Sequence, residues 1–162
     1  VVVVREDNAV TEQTKYGPVV VGVDGSDVSV KATEVAFEEA QARGAELIAV
    51  HTYLENQVHE PVAGAILGDA SWKRFEQERR EKLEQGLAPL EAKYPDVKVT
   101  KVVTQDRPVR ALVDHAKEAQ LLITGSHGRG GFKGMLLGST SRALLQAAPC
   151  PMMVVRPERL PE

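Results

Sequence analysis

The sequence predicts an α/β domain: a doubly wound, five-stranded parallel sheet of order 3-2-1-4-5 with helices on both faces. Three observations point there. Short apolar runs bounded by turn residues alternate with longer stretches whose apolar residues recur at helical spacing, giving the order βαβαβαβαβ. Strict alternation requires right-handed crossovers that return the chain to one sheet, and hence a parallel sheet covered on both sides. The length of 162 residues, 43% of them hydrophobic, suits a single core.

Pro18–Asp24 is a continuous apolar run ending in turn residues, the pattern of a central parallel strand. After Gly25, Ser26 and Asp27, apolar positions from Val28 to Ala40 repeat at helical spacing, with Ser26 or Asp27 as N-cap and Gly44 as the C-terminal stop. Glu46–Tyr53 reads as the second strand, and Leu54 to about Asp69 as a loop. Helix formers run from Ala70 to Lys93, with Trp72, Phe75, Leu83, Leu87 and Leu90 as the buried stripe, Pro95 as terminator, and Pro89 expected to shorten or kink the helix. Val97–Thr104 alternates as a third strand, followed by a helix opening at Pro108 whose face is Val109, Leu112, Val113 and Ala116. Gln120–Gly125 is the fourth strand; a glycine-rich loop to Gly138, a short helix carrying Ala143, Leu144, Leu145 and Ala148, and a fifth strand over Pro151–Arg156 complete the pattern.

Composition excludes several functions. With 20 basic against 23 acidic residues the net charge is -3, which gives no general attraction to nucleic acid or anionic membrane. Cys150 is the single cysteine, so an internal disulfide and a multi-cysteine metal cluster are ruled out and a reducing, cytoplasmic setting is expected. Flanked by Pro149 and Pro151, it reads as a small buried residue. No apolar run approaches the ~20 residues of a membrane-spanning helix. His51, His59 and His115 lack metal-ligand spacing and receive no role, and Arg79 and Arg80 fall among the mixed charges of a solvated helix face.

The domain is expected over 18–158, with 1–17 as an N-terminal arm and 159–162 as a tail. Val1 in the place of a methionine suggests a piece of a longer product. The run Val1–Val4, Arg5, Glu6 resembles Met152–Arg156, Pro157, as a stub of a preceding tandem repeat would; a plain terminal strand or arm accounts for it equally well.

The chemistry concentrates where the fourth strand ends. Glycines at 125, 128, 130, 131, 134 and 138 let backbone amides converge, and Ser139, Thr140 and Ser141 then open a helix whose first-turn amides and dipole attract anions. His127 and Arg129 lie inside the loop, Arg129 suited to bidentate phosphate contact. No Gly-Lys-Ser/Thr of a P-loop occurs, and Gly22–Gly25 does not match a dinucleotide fingerprint. In a 3-2-1-4-5 sheet the ligand crevice opens between the first and fourth strands, which brings Asp24 to face Gly125. Asp24 either bonds a sugar hydroxyl, base amine or phosphate-bound Mg2+, or forms an Asx-turn; the sequence favours neither.

Val21-Gly-Val-Asp24-Gly-Ser26 and the spacing Gly125-x2-Gly128-x9-Gly138-Ser139 resemble the nucleotide-binding branch of the universal stress protein (UspA-like) family over Pro18 to Pro157. The resemblance implies a Rossmann-like fold of the adenine nucleotide hydrolase-like type. It also implies a site in which Gly125, Gly128, Gly138, Ser139 and Thr140 cradle ribose and phosphates, Asp24, Gly25 and Ser26 lie by the nucleoside, and backbone near Val50 meets adenine. Thr124 and Ser141 border the same place. The expected ligand is ATP or another adenine nucleotide, AMP or cyclic AMP, with Mg2+ as a companion. The expected role is a binding or sensing module in the stress response; a slow ATPase and a nucleotide-free partner-binding domain are the alternatives. An apolar final strand at the sheet edge leads to the expectation of a homodimer, or of pairing with a tandem neighbour.

Overall fold

The computed structural model describes residues 1–4, 15–54, 69–128 and 137–156, with side chains from residue 73 onward in the third of these segments. The expected loop over 54–69, the glycine-rich segment with Arg129, the burial of Trp72 and the tail at 159–162 therefore fall wholly or largely outside the described residues.

The elements run in chain order β1 (Val2–Val3), β2 (Val19–Gly22), α1 (Asp27–Arg43), β3 (Leu47–Tyr53), α2 (Asp69–Lys93), β4 (Val99–Gln105), α3 (Pro108–Ala116), β5 (Leu121–Gly125), α4 (Ser139–Ala147) and β6 (Met152–Val155). From β2 onward this is the expected alternation, and the sheet order β1-β6-β5-β2-β3-β4 contains the expected 3-2-1-4-5 arrangement. The strands β2 to β6 are parallel, with Val21 beside Ala49 on one side and Ile123 on the other.

Three expectations are corrected. The sheet has six strands rather than five, because Val2 and Val3 pair antiparallel with Met153 and Met152. Consequently β6 is not an edge strand: the Val154 N–H donates to the Val1 carbonyl at 2.8 Å, and the Val1 nitrogen donates back to the Val154 carbonyl at 3.0 Å. Pro89 does not shorten its helix, which continues to Lys93.

Each sheet face has its own core. On one, α1 and α2 place Phe37, Ala40, Leu83 and Leu87 against Val19, Val21 and Ile123. On the other, Leu112, Ala116 and Leu144 cover Val20, Val50 and Leu122. Burial of β2 on both faces is why its sequence reads as an unbroken apolar run. Gly44 ends α1 as expected, at φ 60° with its N–H donating to the Ala40 and Gln41 carbonyls. Both sheet faces being filled, the carboxyl ends of the strands are where a ligand can enter.

Candidate functional site

A cleft of ≈ 560 Å³ opens at those carboxyl ends, within the range of small-molecule sites. Its floor crosses the sheet from β5 over β2 to β3. At the β5 end it is bounded by Gly125, Gly128 and the first turn of α4; Asp24 stands in the middle; Val50 and His51 stand at the β3 end.

Asp24 stands two residues beyond β2 and takes one of the two roles the sequence left open, the turn, while its side chain also lines the cleft. Its Oδ1 accepts from the Ser26 N–H at 2.9 Å and the Ser26 hydroxyl at 2.7 Å, an Asx-turn. Its Oδ2 faces Gly128, where a Cβ would stand only 2.6 Å away. Glycine at 128 is therefore what lets the loop after β5 close on this carboxylate.

Ser26 caps α1, its Oγ accepting from the Ser29 N–H at 3.2 Å. That cap and the bond to Asp24 commit it internally, and neither Gly25 nor Ser26 lines the cleft; Gly25, at φ 79°, makes the turn between them. The α4 terminus is different. Its N-cap is Gly138, no side chain caps it, and Ser139 and Thr140 line the cleft. First-turn amides have no intrahelical acceptor, so this terminus presents donors and the positive end of its dipole to the cleft.

The remaining residues divide between lining and scaffold. The Gly138 N–H donates to the Ser126 carbonyl at 2.7 Å, which ties the loop shut rather than offering a further donor. Ser141 is buried, and its hydroxyl donates to the Gly125 carbonyl at 2.7 Å. Gly125 permits close approach of α1, since a Cβ there would meet Val28 Cγ1 at 3.0 Å. The Val50 carbonyl accepts from the Val23 N–H at 2.9 Å, a bond that fixes the β3 rim of the cleft. Thr124 is buried, and its hydroxyl alone among the described buried side-chain oxygens and nitrogens has no hydrogen-bond partner.

On the β3 side sequence reasoning reaches Val50 but misses the two polar side chains beside it. His51 and Arg79 both line the cleft; the His51 Nδ1–H donates to the Val23 carbonyl at 2.7 Å, and Arg79 Nη1 lies 3.4 Å from its Nε2. No spacing rule flags them, because Arg79 arrives from α2 by tertiary packing. Ser126 Oγ and His127 Nδ1 lie 3.0 Å apart, but Ser126 is fully buried and offers no accessible nucleophile. Among the described residues no three His, Cys, Asp or Glu side chains gather as a metal site. Burial pushes the Cys150 thiol up to about 11, in keeping with a packed rather than reactive side chain.

A mostly parallel α/β sheet with a cleft at its topological switch point, bordered by a helix terminus without a side-chain cap and by a carboxylate, defines a doubly wound α/β protein of the Rossmann-like class. The model of the universal stress protein family matches residues 15–156, and the chain belongs to that family. It is 47% identical to a universal stress protein of Mycobacterium tuberculosis over 156 residues, 96% of this chain and 51% of that protein. It is 43% identical to one from Mycolicibacterium smegmatis over 157 residues, 97% of this chain and 51% of that protein. The chain thus spans about half the length of these relatives. Among solved structures, universal stress protein UspA from Lactobacillus plantarum matches with a TM-score of 0.72 at 24% identity, covering 87% of this chain and 98% of that one. A universal stress protein solved in complex with cAMP matches with a TM-score of 0.55 at 26% identity, covering 87% and 97%.

Proposed function

We propose that the cleft binds an adenine nucleotide and that the chain acts as a cytoplasmic binding or sensing module. The observation that carries this reading is the first turn of α4: a helix terminus with no side-chain cap, bordering a cleft of nucleotide size. α1, whose terminus is satisfied by Ser26, offers no such place. The orphaned Thr124 hydroxyl, buried at the cleft floor, supports it, because a buried polar group without a partner is costly and a ligand can supply one. The relative solved with cAMP, an adenine nucleotide, lends further support.

In this reading the phosphate lies against the Ser139 and Thr140 amides, with Gly128 beside it. Asp24 accepts from the sugar, or would hold a Mg2+ whose charge would offset that of the phosphate. The nucleoside extends over β2 toward Val50.

Calorimetric titration with ATP, AMP and cyclic AMP tests it. At least one should bind, and Gly128→Ala, whose new Cβ collides with Asp24 Oδ2, should weaken binding about tenfold or more with circular dichroism unchanged. No binding of any of the three would overturn the reading. Single-turnover hydrolysis well below roughly 1 per second would separate a binding module from an ordinary enzyme.

A further inference from the structure

We infer that Arg79 is a base-recognition residue, donating to acceptor atoms on the end of the ligand remote from its phosphate, and that His51 positions it. This rests on the adenine-nucleotide reading above.

His51 is only 9% exposed. Its Nδ1 lies 2.7 Å from the Val23 carbonyl, which can only accept, so Nδ1 carries the proton. Nε2 consequently presents a lone pair, and Arg79 Nη1 donates to it across 3.4 Å. On its other side the guanidinium lies over the Phe75 ring, 4.8 Å from the centroid, and Phe75 packs edge-on against Tyr53 with centroids 5.3 Å apart. Arg79 is thereby held by a ring face and by an imidazole, while among the described residues no carboxylate forms an ion pair with it. A guanidinium has five N–H donors in a rigid fork, and one bond to His51 leaves most of them for other acceptors.

Position assigns the ligand moiety. The α4 terminus lies outside β5, whereas His51 and Arg79 lie at the β3 end, with β2 between. Two strand spacings are on the order of 10 Å. A phosphate at α4 cannot also meet Arg79, but the base of the same mononucleotide can. A donor fork there selects a heterocycle that turns ring nitrogens or a carbonyl toward β3, and disfavours one that turns an amine.

The experiment compares AMP with adenosine by calorimetry on the full chain. Arg79→Ala should weaken both by about tenfold or more and leave their affinity ratio unchanged, and Arg79→Lys should not restore either. His51→Gln, whose amide can donate to Val23 and accept from Arg79, should bind better than His51→Ala. Adding His51→Ala to Arg79→Ala should cost nothing further, the signature of a residue acting through Arg79. Unchanged affinity in Arg79→Ala, or weakening of AMP alone, would overturn the inference. A wild-type chain that binds neither of these compounds, nor ATP or cyclic AMP, would instead overturn the reading beneath it.

Discussion

Asp24 divides its two oxygens, one tied into the turn that starts α1 and the other set against Gly128. A single sequence could not choose between turn and site because the two are compatible in one carboxylate: Oδ1 makes the turn, and the same side chain lines the cleft. Thr124 gives a cleaner test of the same floor. Thr124→Val keeps the shape and removes the orphaned hydroxyl, so the ligand-free protein should gain about 1 kcal/mol in denaturant titration while nucleotide affinity falls. A loss of stability would mean that the hydroxyl is already satisfied. Cys150 was legible as a buried residue, and its raised pKa fixes a sign. The folded state holds the thiol proton more tightly than the unfolded chain, so its contribution is intact below pH 9 and is lost as pH rises toward about 11. Cys150→Ala should flatten that part of the alkaline stability curve, and the native thiol should react with thiol reagents only on unfolding.

At the scale of elements, period and punctuation carried most of the fold. Ser26 and Gly44 bracket α1 as their chemistry dictates, and Leu83 and Leu87 mark the buried face of α2. Sequence did not reveal which side of α2 borders the cleft, because the rotation of a helix about its axis is decided by what it packs on. In the sequence Arg79 is for that reason one more charge on a mixed-charge helix face. The two helix termini at the switch point make a contrast that can be measured. Ser26→Ala removes a cap and should cost about 1 kcal/mol of stability with or without ligand. The α4 terminus, already without a side-chain cap, should gain stability only when nucleotide is added. Gly17 shows a constraint that no pattern announces: a Cβ there would fall 1.8 Å from the Glu118 carbonyl oxygen, so Gly17→Ala should lower the melting temperature through displaced backbone.

For the whole molecule, alternation and switch-point logic placed Asp24 and Gly125 on one cleft, and the sixth strand answers to the terminal-strand alternative for Val1–Val4. Val1–Val4 looked like the final strand; it pairs with it. When Val3, Val4 and Arg5 are laid over Val154, Val155 and Arg156, Val2 stands for Met153, and Val2 is the residue that pairs with Met153. The register of β1 is thus the one a second copy's β6 would adopt about a twofold axis through Met153. Removing residues 1–4 should expose that edge and raise the dimer fraction in sedimentation velocity; an unchanged distribution would show that β1 does not guard it.

The short strand at the rim also sets a threshold. Because it is tethered, Val2–Val3 meets its groove at an effective concentration on the order of millimolar, so a free competitor at micromolar levels must bind roughly a thousandfold more tightly to evict it. Pairing of two copies through β6 would then answer to crowding and abundance, as a rheostat would.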